Sequence, residues 1–164
     1  MKKFIFLLVI ICGYLVIGCK KDKDNSSKIN EISGYWDRRI LNTTTQNYFV
    51  DQFQFNTDGS YSHIYSIHDK ATFLLLGYSG ISSGRFKIEN QTIFLYDGES
   101  YNKNSTDEYV PQSSLTKVKS VDVTAQYFVD NKKGSLSLTY NCPPNADCVG
   151  TTTFNRSMAV DKYK

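Results

Sequence analysis

The sequence has 164 residues, of which 19 are basic and 16 are acidic, giving a formal net charge of +3. Because two lysines and no acidic residue lie in the first 18 positions, the chain from residue 19 onward carries 17 positive and 16 negative charges, a net of +1. This balance excludes the basic stripe expected of a nucleic-acid binder, and the roughly 130 residues after position 32 suit one domain rather than two.

The first 18 residues have the pattern of a secretory signal peptide. Lys2 and Lys3 give a positive start, residues 4–17 are almost wholly apolar, and the small Gly18 stands at the expected cleavage position. A retained transmembrane helix, the alternative, needs roughly 20 apolar residues, and this run is shorter and ends at a cluster of charges. We therefore predict that residues 1–18 are removed.

The end of this segment, Val16-Ile17-Gly18-Cys19, resembles the lipobox of bacterial lipoproteins. The resemblance implies cleavage before Cys19, acylation of Cys19 and a stable membrane anchor, which a single acyl chain would not provide. Lys20 rather than an aspartate follows the cysteine, and the family's sorting rule then favours the outer membrane of the bacterial cell envelope, with the domain facing the periplasm or the cell surface. An ordinary secreted protein is the alternative.

Residues 19–32 are the predicted link between the lipid and the folded domain. The stretch Lys20–Ile32 consists of charged residues, Asn and Ser with two apolar side chains, so it predicts a disordered tether with a reach of very roughly 20 Å. The folded domain is then expected to span residues 33–164.

Two cysteines remain for this domain, because Cys12 leaves with the signal peptide and Cys19 is acylated. Cys142 and Cys148 then form a lone pair in an exported protein, which predicts a disulfide. A zinc site would need two further ligands, and the whole sequence contains only two histidines. We expect neither a metal nor any other cofactor.

Short alternating runs of aromatic and β-branched residues, separated by polar turns, predict an all-β domain. In the first predicted hairpin the chain turns at residues 57–59. This turn predicts three pairs across the two strands: Phe55 with Tyr61, Phe53 with His63, and Asp51 with Tyr65.

Two later hairpins follow the same pattern. A two-residue turn at positions 90–91 places four apolar side chains on one face in two predicted pairs, Ile88 with Ile93 and Phe86 with Leu95. The apolar faces of residues 119–129 and 136–140 match only after an odd shift of register, which predicts a β-bulge at Gly134.

The only tryptophan, Trp36, lies in Gly34-Tyr35-Trp36, and Arg156 interrupts an otherwise apolar face near the end of the chain. A buried guanidinium needs a partner, and an aromatic ring can supply one. Gly-x-Trp on the first strand with an arginine from the last strand across it resembles the closure pattern of lipocalins. The resemblance implies a single antiparallel barrel of eight to nine strands closed by Trp36 and Arg156, with a two-sheet β-sandwich as the alternative.

In such a barrel, Asp51, Phe53, His63 and Tyr65 point inward from neighbouring strands. A few polar groups among aromatic rings are what a cavity for a small ligand requires, so these four are the candidate ligand-lining residues. The alternatives are a satisfied internal hydrogen-bond network or a register that turns the four side chains outward.

The sequence contains no nucleophile elbow, phosphate-binding glycine loop or His-Glu-x-x-His pair, so we expect a protein without enzymatic activity. Two functions fit a lipid-anchored domain of this kind. The first is binding of a small apolar or amphiphilic ligand inside the barrel. The second is a surface interaction module without an internal ligand, which contacts an envelope protein or a glycan through residues 142–148.

Overall fold

The computed structural model describes residues 20–141 and 150–157 of the chain. Cys19, Cys142 and Cys148 lie outside these residues, as does the signal segment, so acylation, cleavage and the disulfide stay predictions. Within the described residues, no helix is long and apolar enough to cross a membrane. The elements are α1 (Lys20–Ile32), β1 (Gly34–Leu41), β2 (Asn47–Phe55), β3 (Ser60–Asp69), β4 (Leu75–Glu89), β5 (Thr92–Asn102), a short 3₁₀ helix (Gln112–Ser114), β6 (Thr116–Val118), β7 (Val123–Asp130), β8 (Ser135–Tyr140) and β9 (Thr151–Ser157).

The strands form one closed antiparallel barrel. They are hydrogen-bonded in the order β4-β3-β2-β1-β9-β8-β7-β5, and a further pairing of β4 with β5 closes the ring of eight. The remaining strand, β6, lies outside this ring and pairs with residues 100–102 of β5. Closure leaves each of the eight wall strands hydrogen-bonded to a neighbour on both sides, over at least part of its length. The prediction of a single barrel of eight to nine strands is confirmed, and the β-sandwich alternative is wrong.

The predicted registers of the first two hairpins are also confirmed. In β2 and β3, Phe55 pairs with Tyr61, Phe53 with His63, and Asp51 with Tyr65. In β4 and β5, Ile88 pairs with Ile93 and Phe86 with Leu95. The turn between them places Asn90 and Gln91 at φ values of 47° and 65°, the left-handed conformation that a two-residue hairpin of type I′ requires at both positions.

The β-bulge predicted at Gly134 is wrong. The pairs between β7 and β8 run without a register shift from Ala125 and Tyr140 to Asp130 and Ser135. The four-residue loop 131–134 sets the register that brings the two apolar faces together. Gly134, the residue before β8, has a φ of 62°, which glycine adopts without steric cost.

The prediction of a disordered tether over Lys20–Ile32 differs from the structure, in which these residues form α1. The last turn of α1 belongs to the folded domain: Ile32 is 0% exposed, and Ile29 packs against the core. The helix ends where the Ser33 hydroxyl and backbone N–H both donate to the carbonyl of Ile29. α1 therefore covers one end of the barrel, which we call the closed end.

Trp36 and Arg156 meet at this closed end. They pair directly between β1 and β9, and the guanidinium carbon of Arg156 lies 4.3 Å from the centroid of the Trp36 ring. The indole N–H donates to the carbonyl of Ile32 at 2.6 Å, and Arg156 donates to the carbonyl of Ser33 at 3.2 Å. Gly34 has a φ of 119° and a Cβ there would lie 3.2 Å from the guanidinium, so glycine is required. Arg156 is exposed, not buried as expected from the sequence.

The hydrophobic core fills the closed half of the barrel. Its members are inward-facing side chains from all eight wall strands together with the end of α1, and all are nearly inaccessible to water. They are Ile32, Trp36, Phe53, Phe55, Tyr61, Phe86, Ile88, Ile93, Leu95, Ala125, Tyr127, Leu136, Leu138 and Phe154.

Candidate ligand-binding cavity

A cavity of about 670 Å³ lies inside the barrel, beyond the core as seen from α1. Phe53, Tyr61 and Leu95 belong both to the core and to the cavity lining, so they form its floor. The other lining residues come from β3, β4, β5, β8 and the β6–β7 connection: His63, Tyr65, Ser82, Ser100, Asn102, Val118, Lys119, Ser120, Val121, Asp122, Val123, Thr124, Tyr140 and Asn141.

The space exists because large side chains on β3 face small ones on β4. Tyr61 pairs with Gly84, His63 with Ser82, and Tyr65 with a third small residue, Gly80. A Cβ at position 84 would lie 2.7 Å from a backbone carbonyl and 3.1 Å from the ring of Tyr61, so no larger residue fits there. Glycine and serine therefore leave room for the aromatic rings and for the cavity in front of them.

The cavity opens through a gap in the barrel wall. β5 continues to Asn102, but β7 pairs with it only as far as Val123, which lies opposite Leu95. Beyond that point the wall beside β5 consists of β6 and the connection 119–122, which forms no strand and lines the cavity. Val121 in this connection is 72% exposed, so the rim of the opening is partly apolar.

A polar cluster lies at one side of the cavity and is centred on Asp51, which is 4% exposed. Its Oδ1 lies 2.6 Å from Nε2 of His63, and its Oδ2 accepts a hydrogen bond of 2.9 Å from Arg38. Of the four candidate ligand-lining residues, Phe53, His63 and Tyr65 line the cavity, whereas Asp51 lies behind His63 and holds its ring. The three residues of the cluster come together because their strands are neighbours in the sheet: β1 carries Arg38, β2 carries Asp51 and β3 carries His63.

Arg38 and Tyr140 are members of this site that the sequence analysis did not identify. Arg38 pairs with Asp51 between β1 and β2. The sequence does indicate that Arg38 faces inward, because it lies two positions after Trp36 and alternate residues of a strand share a face. Tyr140 lines the cavity from the end of β8.

Aromatic rings form a continuous layer behind the cavity. The ring centroids of His63 and Phe53 are 3.6 Å apart, those of His63 and Tyr65 are 4.3 Å apart, and Phe49 stacks on Tyr65 at 5.7 Å. Burial, followed by the negative charge of Asp51, raises the pKa of Tyr140 to about 12 and raises the pKa of Tyr65 as well. Both phenols are therefore protonated at neutral pH and present hydrogen-bond donors.

The described residues contain no group of three or more His, Cys, Asp and Glu side chains that could hold a metal ion. The two histidines differ in role: His63 faces the cavity, while His68 is fully buried and bonded to Ser66 and to the carbonyl of Phe73. Burial lowers the pKa of His68, so its ring is neutral and serves the local packing of the β3–β4 turn.

Glu108 ties the long connection after β5 to the turn between β1 and β2. Its carboxylate accepts hydrogen bonds from Thr45 at 2.6 Å, from Asn47 at 2.9 Å and from Asn42 at 3.2 Å. The hydrogen bond from Thr45 lowers the pKa of Glu108 most, partial burial opposes it, and the two asparagines lower it further. The ionised carboxylate of Glu108 thus joins the connection after β5 to the β1–β2 turn, at the end of the barrel away from α1.

Replacing Glu108 with Gln should lower the free energy of unfolding by about 0.5–1 kcal/mol at pH 7, because three hydrogen bonds lose a charged acceptor. A carboxylate with a lowered folded-state pKa stabilises the fold above its ordinary pKa, near 4.5, and loses that effect as the pH falls through the folded-state value. The difference between wild type and Glu108→Gln in urea unfolding should therefore shrink below pH 4.5. A difference that is constant from pH 7 to pH 3.5 would contradict this assignment; Glu89→Gln, at an exposed position, is the control.

Comparisons with protein-family models, with curated proteins and with solved structures each gave no match to this chain.

Proposed function

We propose that this protein is a lipocalin-like lipoprotein of the bacterial cell envelope, and that its barrel binds a small apolar or amphiphilic ligand without catalysing a reaction. The proposal combines two parts with separate support. The cavity supports ligand binding, and the N-terminal segment supports membrane anchoring.

The observation that carries the binding function is the cavity of about 670 Å³ inside the barrel. Its volume falls within the roughly 300–1,000 Å³ of small-ligand sites, and it combines an apolar floor with a few placed polar groups, as such sites do. The floor is aromatic and aliphatic, and the polar groups His63, Tyr65 and Tyr140 line the cavity above it, together with polar residues nearer the opening. A ligand with one polar end and a larger apolar part matches this division.

A binding role without catalysis is supported by the contacts of His63. Among the described residues, its ring nitrogens hydrogen-bond the carboxylate of Asp51 and no hydroxyl or thiol that could act as a nucleophile. The arrangement holds the imidazole in place beside the cavity and supplies a polar contact.

Membrane anchoring rests on Cys19 at the end of the signal segment. In cells grown with labelled palmitate, the full chain should carry the label and a Cys19→Ser variant should not. Label retained by Cys19→Ser would contradict the lipobox interpretation.

Filling the cavity tests the binding function. Ser82 lies on the cavity lining opposite His63, so a leucine there should occupy the space in front of the imidazole. We expect wild-type protein to bind the neutral fluorescent probe N-phenyl-1-naphthylamine with saturation, and Ser82→Leu to bind it about tenfold more weakly or worse, a loss of about 1.4 kcal/mol. Fluorescence titration measures both affinities.

Ser83→Leu is the matched control, because Ser83 is the next residue of β4 and is exposed. It should bind the probe as wild type does. Absence of saturable binding by wild type, or equal affinities for Ser82→Leu and wild type, would contradict the proposed function.

The alternative function, a surface module that contacts a protein or glycan, depends on residues 142–148, which lie outside the described part of the chain. No observation on the described residues favours it over ligand binding.

A further inference from the structure

The polar cluster beside the cavity contains one carboxylate, and both of its oxygens are already engaged. Asp51 uses one oxygen for Arg38 and the other for His63, at 2.9 and 2.6 Å. Both carboxylate oxygens are thus engaged inside the cluster, and Asp51 does not line the cavity. The side of the cavity formed by this cluster therefore presents no carboxylate of its own to a ligand.

The unused hydrogen-bonding groups around this cluster are donors. Nε of Arg38 is buried and has no hydrogen-bond partner among the described residues, although a buried donor is normally paired. The hydroxyls of Tyr65 and Tyr140 also hydrogen-bond no other residue in the described part of the chain. Of these groups, the two phenolic O–H groups belong to residues that line the cavity, so they can donate to an acceptor-rich ligand.

Tyr65 and Tyr140 line the same cavity, and the charge of Arg38 affects the pKa of both hydroxyl groups. The positive charge of Arg38 and the negative charge of Asp51 both influence the two phenols, whose pKa values are raised first by burial, then by Asp51, and lowered by Arg38. Arg38 does not line the cavity itself, so it acts on the space in front of the two tyrosines through its charge.

Leu95, Val118, Val121 and Val123 supply apolar side chains to the cavity lining from β5 to the start of β7, and Val121 is the most exposed of them. They alternate along this stretch with the polar residues Lys119, Ser120, Asp122 and Thr124. A hydrocarbon chain or ring would bury these side chains while its polar end met the tyrosines.

We propose that the ligand is a carboxylate amphiphile, with its carboxylate held by the hydroxyls of Tyr65 and Tyr140 beside Arg38 and its apolar part along the valines of the opening. This inference rests on the proposed binding function and specifies the charge of the ligand's polar end. Charge-assisted hydrogen bonds to a carboxylate are about twice as strong as neutral ones, so the charge should determine the affinity.

Three compounds with a twelve-carbon chain and different polar ends are compared: dodecanoate, dodecanol and dodecyltrimethylammonium. Each is titrated below its micellar concentration against wild-type protein carrying bound N-phenyl-1-naphthylamine, and displacement gives the affinity. We expect dodecanoate to bind about tenfold or more tightly than dodecanol, and the cation to bind most weakly. Equal displacement by dodecanoate and dodecanol would overturn the inference while leaving ligand binding intact, whereas failure of the neutral probe to bind would instead remove the proposed function.

Two tyrosine variants locate the carboxylate. Tyr140→Phe removes one hydroxyl from the cavity and should weaken dodecanoate about tenfold, with dodecanol nearly unchanged. Tyr101→Phe is the control, because its hydroxyl bonds Glu99 outside the cavity, and it should change neither affinity. Equal losses for dodecanoate and dodecanol in Tyr140→Phe would show a general effect on the cavity and would overturn the placement of the carboxylate.

Discussion

Truncation of Ile32 to alanine is expected to lower the free energy of unfolding by about 2–5 kcal/mol, the usual cost of removing a fully buried isoleucine side chain. Ile32 is 0% exposed at the end of α1, and its carbonyl accepts the indole N–H of Trp36. Urea unfolding followed by the fluorescence of the single tryptophan measures the loss. The emission of the folded variant should also shift to the red, because water gains access to the indole.

Ile40→Ala is the matched control, because the same side chain at that position is 44% exposed. Its effect should stay within about 0.5 kcal/mol, as is typical of surface substitutions. If Ile32→Ala unfolded at the wild-type urea concentration, α1 would not be part of the cooperative fold, and the tether would extend to the start of β1.

Replacement of Asp51 with asparagine should lower the free energy of unfolding by about 2–3 kcal/mol at pH 7. The amide keeps the shape of the carboxylate but loses its charge and replaces one of the two oxygens that face Arg38 and His63 with an NH2 group. Hydrogen bonds to charged groups contribute about this much. The loss stays below the 3–5 kcal/mol typical of a broken, fully buried ion pair, because Arg38 reaches solvent. Urea unfolding at fixed pH is the measurement.

Asp122→Asn serves as the comparison for Asp51. Asp122 lies at the rim of the cavity and is exposed, so its substitution should cost no more than about 0.5 kcal/mol. Equal stabilities for Asp51→Asn and Asp122→Asn would mean that the polar cluster contributes nothing to the fold and that Arg38 and His63 are satisfied by water.

The parts of the fold that could be predicted are those determined by local pairing. The turn at 57–59 and the turn at 90–91 each join two strands with apolar residues in alternate positions, so a single register buries them all. The alternation along the first of these hairpins is enough to place Asp51, Phe53, His63 and Tyr65 on the inner face.

The parts that could not be predicted depend on contacts between distant segments. The composition of Lys20–Ile32 is that of a disordered stretch, and its last turn becomes helical because Ile29 and Ile32 find an apolar barrel end to cover. The alternation of side chains along β1 was the one sign that Arg38 faces inward. Its partner Asp51 is 13 residues away on β2, so no local pattern links the two. The opening beside β6 arises because β7 starts late relative to β5, which no local pattern reveals.

The pairing of β1 with β9 has a consequence for how the chain reaches its folded state. Trp36 and Arg156 are opposite each other in the sheet, yet about 120 residues separate them along the chain, and contacts of such sequence separation carry a large loop-closure cost. These two strands cannot pair before β9 has been synthesised. A nascent chain therefore stays open between β1 and its missing neighbour until the last strand is available.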